Sequence, residues 1–278
     1  MVKVVTDSTS DIPRDVARDL NIEIVPAYIQ WDGETLRDGI DIDADEFYRR
    51  LTTSTHLPTT SQPPPGDFEK VYQSLAGDAE GIVSIHISSK LSGTCQSAFL
   101  AKQTMEQKLP VEVIDSKYNS MGLGLVTIAA ARVASAGGKM EDVVEETKKT
   151  ISQIRMLGIF ATLKYAIAGG RINKSFGKVA SVLNIKPMLT FRDGEVAMAG
   201  MAIAYSRGVD KILDFVKKNS PIRDLAIVHS SIIEEAMKLR ERLGVVFPED
   251  KILLAPLGPS LGVHGGPGVL LVALRRGD

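Results

Sequence analysis

The chain has 278 residues, a formal net charge of −1 and 44% hydrophobic residues, which allows a sizeable interior and exceeds what one core usually fills. The near-neutral charge gives no electrostatic footprint for nucleic acid or an anionic membrane surface, and 5% aromatic residues argue against a stacking platform for bases. A single cysteine, Cys95, excludes an intrachain disulfide and fits a reducing cytoplasm.

Residues 2–5 form an apolar strand directly after Met1, with no basic region leading into a long apolar stretch. No secretory signal, no membrane span and a cytoplasmic location are therefore expected. The polar cluster Thr6-Asp7-Ser8-Thr9-Ser10-Asp11 ends this strand, at the edge where open α/β sheets bind ligands. Asp11 is read as a cap for the helix that Pro13 opens, whereas Asp7 and Ser8 fit a cap or a ligand site equally well. Residues 22–28 are read as a second strand and 47–51 as a helix, with Gly33 and Gly39 marking turns in an acidic surface segment. Thr59-Thr60-Ser61-Gln62 then runs into Pro63-Pro64-Pro65, a stiff extended brace that suits a plain loop or a fixed set of hydroxyls.

Residues 81–98 read as strand, hydroxyl-rich turn and helix start. Gly93 permits a tight turn, and the N–H groups of the following helix carry partial positive charge, so Leu91-Ser92-Gly93-Thr94 fits either a cap or a carboxylate or phosphate site. Residues 97–109 continue as helix, and 111–115 form a strand. A helix rich in small residues spans 121–136, where Gly122 and Gly124 imply close approach of backbone or ligand. Gly137-Gly138 ends it, and 140–154 is amphipathic with acids early and lysines late, as the helix dipole prefers. This alternation predicts a mainly parallel sheet.

The pattern then changes, with a strand at 157–162, the turn Gly169-Gly170-Arg171-Ile172 and a helix at 176–183. Asp193-Gly194 between apolar runs at 185–191 and 195–205 signals an antiparallel hairpin. Helices at 207–218 and 232–243, strands at 225–229 and 252–255, a glycine-rich turn at 262–268 and a strand at 269–274 complete the chain. The expectation is an α/β protein of two domains, 1–156 with a parallel sheet flanked by helices and 157–278 with a mixed sheet.

Several chemistries find no support. The glycines of 262–268 lack the Lys-Ser/Thr ending of a phosphate loop, and no GxGxxG follows the first strand. His56, His86, His229 and His264 show no metal-ligand spacing, so no metal is expected. Ser92 lacks the G-x-S-x-G setting that would favour a hydrolase triad with His264.

Taken together, Thr60-Ser61-Gln62-Pro63, Leu91-Ser92-Gly93-Thr94, Gly169-Gly170-Arg171-Ile172 and His264-Gly265-Gly266-Pro267-Gly268 resemble the DegV family nearly end to end. The resemblance implies a long-chain fatty acid held in a slot between two α/β domains, no catalytic residues, no cofactor, and an ATP-binding partner that phosphorylates the bound carboxylate for phospholipid synthesis. The protein would then be the lipid-carrying subunit of a bacterial fatty acid kinase. By motif, Thr60, Ser92 and His264 would hold the carboxylate, with backbone around Ser61, Gly93, Thr94 and Gly265 completing the cradle. Ile167, Ile185, Met188, Leu189 and Ala202 are taken to line the slot, and Arg171 and Arg207 to dock the kinase. The alternative is a subunit like that of dihydroxyacetone kinase, binding a small carbonyl through His264.

Overall fold

The computed structural model describes residues 1–105, 108–172 and 185–277. Strands β1 (Val2–Asp7), β2 (Ile22–Val25), β6 (Gly81–His86) and β7 (Val111–Asp115) pair in parallel in the order β2-β1-β6-β7. The second sheet orders β10 (Glu195–Ala202), β9 (Lys186–Arg192), β8 (Ile154–Ile159), β13 (Leu270–Arg276), β11 (Ile222–His229) and β12 (Ile252–Pro256) from edge to edge. Only β11 and β12 run parallel within it, so it is the mixed sheet expected from the hairpin. The protein is thus an α/β fold with one parallel and one mixed sheet.

Between the sheets lies α5 (Ser120–Ser135), buried along nearly its whole length. A helix apolar on all sides must be covered on all sides. The largest core therefore runs through it, joining Val2, Val4, Val83 and Ile85 of the parallel sheet to Ala226, Val228, Leu271 and Ala273 of the mixed one. The glycines of α5 answer to packing: a Cβ at Gly124 would stand 2.7 Å from the Ser10 carbonyl oxygen, and one at Gly122 would meet Met156 Sδ at 2.3 Å. A second core lies under α8 (Tyr205–Lys218) and α9 (Ile233–Leu243) on the far face of the mixed sheet.

Several elements differ from expectation. The extended run at 22–28 is broken at Pro26, which has no N–H for a sheet ladder; β2 ends at Val25 and β3 (Tyr28–Trp31) joins another sheet. The segment read as acidic surface holds a hairpin: β3 pairs with β4 (Glu34–Arg37) through Asp32 and Gly33, both at positive φ. Ile29 and Trp31 of β3 are buried with Phe47 and Tyr48 of α2 (Ala44–Thr53). The loop at 59–66 contains β5 (Thr59–Ser61), which pairs with β3, and the extended brace ends at Pro64, with Pro65 opening α3 (Pro65–Leu75), because a first-turn proline forgoes no bond.

The helix expected at 97–109 is α4 (Thr94–Gln103), and the strand expected from 157 starts at Ile154, so the division placed at 156/157 falls inside β8. The helix expected at 176–183 lies outside the described residues. The glycine-rich turn proves to be mostly helix, α10 (Pro259–Gly265). There Gly262 turns its bare Cα to Phe47 and Tyr48, so tertiary packing overrides poor helix propensity.

Candidate ligand-binding site

Four turns meet where the carboxyl edge of the parallel sheet faces the mixed sheet. After β6, Leu91 and Ser92 accept the chain into a turn, and the Ser92 hydroxyl accepts from Thr94 N at 3.2 Å and shares a 2.8 Å bond with Thr94 Oγ1. Ser92, which precedes the N-cap Gly93, thus holds the first N–H of α4, and it does so on the wall of a cavity. The Gln62 side-chain amide lies directly over the bare Cα of Gly93. From β5, Thr60 reaches across to α10, where its hydroxyl lies 3.0 Å from His264 Nε2.

These groups line one cavity of about 580 Å³, together with Ser61, Gly265 and Arg171. All seven carboxylate-cradle residues expected from the motifs border it. Its floor is mainly one face of the mixed sheet, formed by Met156 and Gly158 of β8 with Phe160 just beyond it, by Leu189 and Phe191 of β9, and by Leu271 of β13. The cradle hydroxyls and His264 thus share one chamber with this apolar sheet face.

His264 is partly buried, and burial, with the nearby Arg171 guanidinium, pushes its imidazole down to about 4. The ring is neutral at physiological pH. Its Nδ1 is buried without a hydrogen-bond partner among the described residues, and the ring packs so tightly on Gly169 that a Cβ there would stand 2.1 Å from it. At the start of α4, burial raises the Cys95 thiol to about 11, so the helix start does not make it acidic.

The model of the DegV family, described as "Uncharacterised protein, DegV family", matches residues 1–276. The chain belongs to the DegV family. A DegV domain-containing protein of Caldanaerobacter subterraneus subsp. tengcongensis is 33% identical over 270 residues, covering 96% of this chain and 95% of the relative. The solved structure of a DegV family protein from Thermus thermophilus, described by its fatty acid binding, aligns over 99% of both chains at 33% identity with a TM-score of 0.90. A stearic acid-binding protein from Eubacterium ventriosum aligns over 99% of this chain and 98% of its own at 26% identity, TM-score 0.89.

Not every expected position fits this DegV chamber. Of the five residues taken to line a slot, only Leu189 borders it. Met188 points to the opposite face of β9 and joins Ala202 in the core under α8, while Ile167 and Ile185 stand outside the lining. Strand periodicity decides this: adjacent residues face opposite sides, and the sequence alone does not say which side is hollow. Arg171 is exposed at the cavity, but Arg207 sits in the first turn of α8, not in a loop, and does not line it.

Sequence reasoning also missed the polar layer beneath the DegV cavity. Asp7 is fully buried and accepts from Thr9 N (3.1 Å) and Ile87 N (3.1 Å), fixing two turns that reach the cavity. Its other neighbour is His86 Nδ1 at 3.0 Å, whose Nε2 lies 2.7 Å from Ser84 Oγ, itself accepting from Tyr72 OH. That Asp-His-Ser chain is closed and buried, so Ser84 cannot meet a substrate. Asp11 does not cap the helix after Pro13; it is the left-handed C-cap of the 3-10 turn Ser8–Ser10 and is buried, with Ser120 Oγ 2.5 Å from one carboxyl oxygen and Gly258 N 2.9 Å from the other. Asp38 accepts from Ser8 Oγ at 2.7 Å. A short polar residue beside a turn looks like a cap in any sequence, and only the fold shows that these carboxyls are enclosed.

Burial, opposed by the Ser120 and Gly258 bonds, raises Asp11 to about 8, and burial raises Asp38 to about 6. The folded state then holds protons that the unfolded chain releases near pH 4, so stability falls as pH rises from about 4 to about 8. Asp11→Asn keeps an oxygen for Gly258 N and supplies an amide donor to Ser120. Its unfolding free energy should gain on wild type by up to about 1.4 kcal/mol per pH unit in this window. Denaturant titrations at several pH values check this, and parallel curves for the two proteins would contradict a neutral buried Asp11.

Proposed function

We propose that this protein binds a long-chain fatty acid in the chamber and presents its carboxylate to a separate ATP-dependent kinase subunit, which forms an acyl phosphate for phospholipid synthesis. The observation that carries the binding step is the lining of the chamber: hydroxyls of Thr60, Ser92 and Thr94 and the neutral His264 share it with an apolar sheet face. The relatives described as fatty acid-binding support it. A volume of about 580 Å³ suits a flexible acyl chain and is far larger than a small carbonyl compound needs, so a dihydroxyacetone-kinase-like role has no observation in its favour.

In this reading the carboxylate accepts hydrogen bonds from Thr60, Ser92 and His264, with backbone near Ser61, Gly93, Thr94 and Gly265 alongside. The start of α4 adds favourable partial charge. The protein needs no catalytic residue of its own, because the nucleophile is the ligand's carboxylate oxygen and the phosphoryl donor belongs to the partner. Among the described residues, no helix is long and apolar enough to cross a membrane and no cluster of metal ligands occurs. The lone cysteine accords with a cytoplasmic setting for this role.

Ser92→Ala should weaken fatty acid binding about ten- to a hundredfold, the worth of one charge-assisted hydrogen bond of about 1.5–3 kcal/mol. Losing the cap alone would cost about 1 kcal/mol of stability. Thr60→Ala and His264→Ala should act in the same direction, and combinations should be non-additive because the groups share one carboxylate. A fatty alcohol of equal length should bind wild type weakly and be little affected. Calorimetric titration of acid and alcohol, with thermal unfolding in parallel, separates the roles; a lower melting temperature with unchanged acid affinity would reduce Ser92 to a cap.

Docking is assigned to Arg171, at the chamber, and to Arg207, exposed on α8. Charge reversal at Arg207 should slow acyl-phosphate formation by a cognate kinase while leaving acid affinity intact, whereas reversal at Arg171, beside His264 on the chamber wall, should slow it and weaken acid binding as well. Unchanged turnover in both variants would remove the docking assignment.

A further inference from the structure

We infer that the Phe191 ring is the end wall of the chamber and sets the longest acyl chain it accepts, an inference that rests on the fatty acid reading above. The chamber has a direction. Strands β8 and β9 run antiparallel with Gly158 opposite Leu189 and Ile159 opposite Met188. At one end the Phe160 ring lies 4.0 Å from where a Cβ on Gly265 would be, beside His264. At the other end Met156 lies with Thr190 and Phe191, since Thr190 Oγ1 donates to the Met156 carbonyl at 2.7 Å. The four-residue step from Phe160 to Met156 spans about 13 Å of strand.

Phe191 closes that far end and is held there from two sides. Its ring packs on Tyr118 with centroids 5.5 Å apart, and Tyr118 is fixed by its hydroxyl donating to the Ile154 carbonyl at 3.0 Å. The tip of the hairpin that carries Phe191 is tied to the other sheet's turns, with Ser88 Oγ donating to the Gly194 carbonyl at 2.7 Å. Gly194 has φ +85, and a Cβ there would stand 2.7 Å from Ser88 Oγ, so the tip fits only as glycine.

Behind the ring lies a second space, a cleft of about 490 Å³ bordered by Ile114, Lys117, Tyr118, Lys148 and Asp193. Among the described residues, Phe191 alone lines both spaces. An acyl chain long enough to pass the ring would have to displace it and enter a cleft edged by charged groups. The wall thus marks a change of chemistry as well as a steric stop, and chain-length selection follows from one side chain.

The test is competitive binding of myristic, palmitic and icosanoic acids to wild type, Phe191→Ala and Phe191→Trp, with thermal unfolding to establish that each is folded. Phe191→Ala joins the two spaces and should raise the icosanoic-to-palmitic affinity ratio about tenfold. Phe191→Trp shortens the chamber and should raise the myristic-to-palmitic ratio. If Phe191→Ala fails to fold, Phe191→Leu should shift the ratio in the same direction by less. Wild-type ratios in the folded variants would overturn the end-wall assignment while leaving fatty acid binding in place. Failure of the unmutated protein to bind any of the acids would overturn the fatty acid reading and the wall with it.

Discussion

The fold depends on the burial of α5. Its sequence from Met121 to Ala131 carries no charge and is buried throughout, and one sheet stacks on each flank to exclude water from it. That stacking aligns the carboxyl edge of the parallel sheet with one face of the mixed sheet. The turns after β1, β6 and β7 then converge on strands β8 and β9, and the chamber is the space that the two curved surfaces leave unfilled.

Apart from Lys90 and Arg171 on the chamber wall, polarity at the cradle comes from hydroxyls, backbone and His264. The carboxyls of Asp11 and Asp38 are raised by burial, His264 is lowered by it, and the cradle consists of hydroxyls. Such a cradle is matched to one incoming anion, because buried donors without a fixed counterion gain most from a carboxylate. The buried acids lie behind the cradle and serve geometry: Asp11 ties the turn before α10, through Gly258 N, to Ser120 at the start of α5. The helix carrying His264 is therefore positioned by the same element that joins the sheets.

How much of this was legible in the sequence follows from the range of the forces involved. Local patterns were readable: β-branched runs gave β1, β6 and β7, Asp193-Gly194 gave the hairpin, and the charge gradient of the 140–154 segment matches α6 (Met140–Gln153). The resemblance to short family motifs names seven cradle positions scattered along the chain, and all of them border one cavity. What stayed hidden depends on tertiary contact. Pro26 splits a run into two sheets, Gly262 accepts a helix because Tyr48 and Phe47 crowd it, and Asp11 is enclosed by loops far away in sequence. The lining residues fall in the same class, since alternation on β9 fixes that Met188 and Leu189 face opposite ways but not which of them faces a void.

A chamber lined by the cradle hydroxyls, His264 and an apolar sheet floor, on a chain that matches the DegV family from residue 1 to 276, supports the proposed fatty acid binding. Native mass spectrometry of the purified protein, followed by solvent extraction, is the most direct measurement of that claim. A long-chain fatty acid bound at one per chain is expected. Repeated recovery of a polar triose or a nucleotide from the chamber, with no acyl chain, would contradict it.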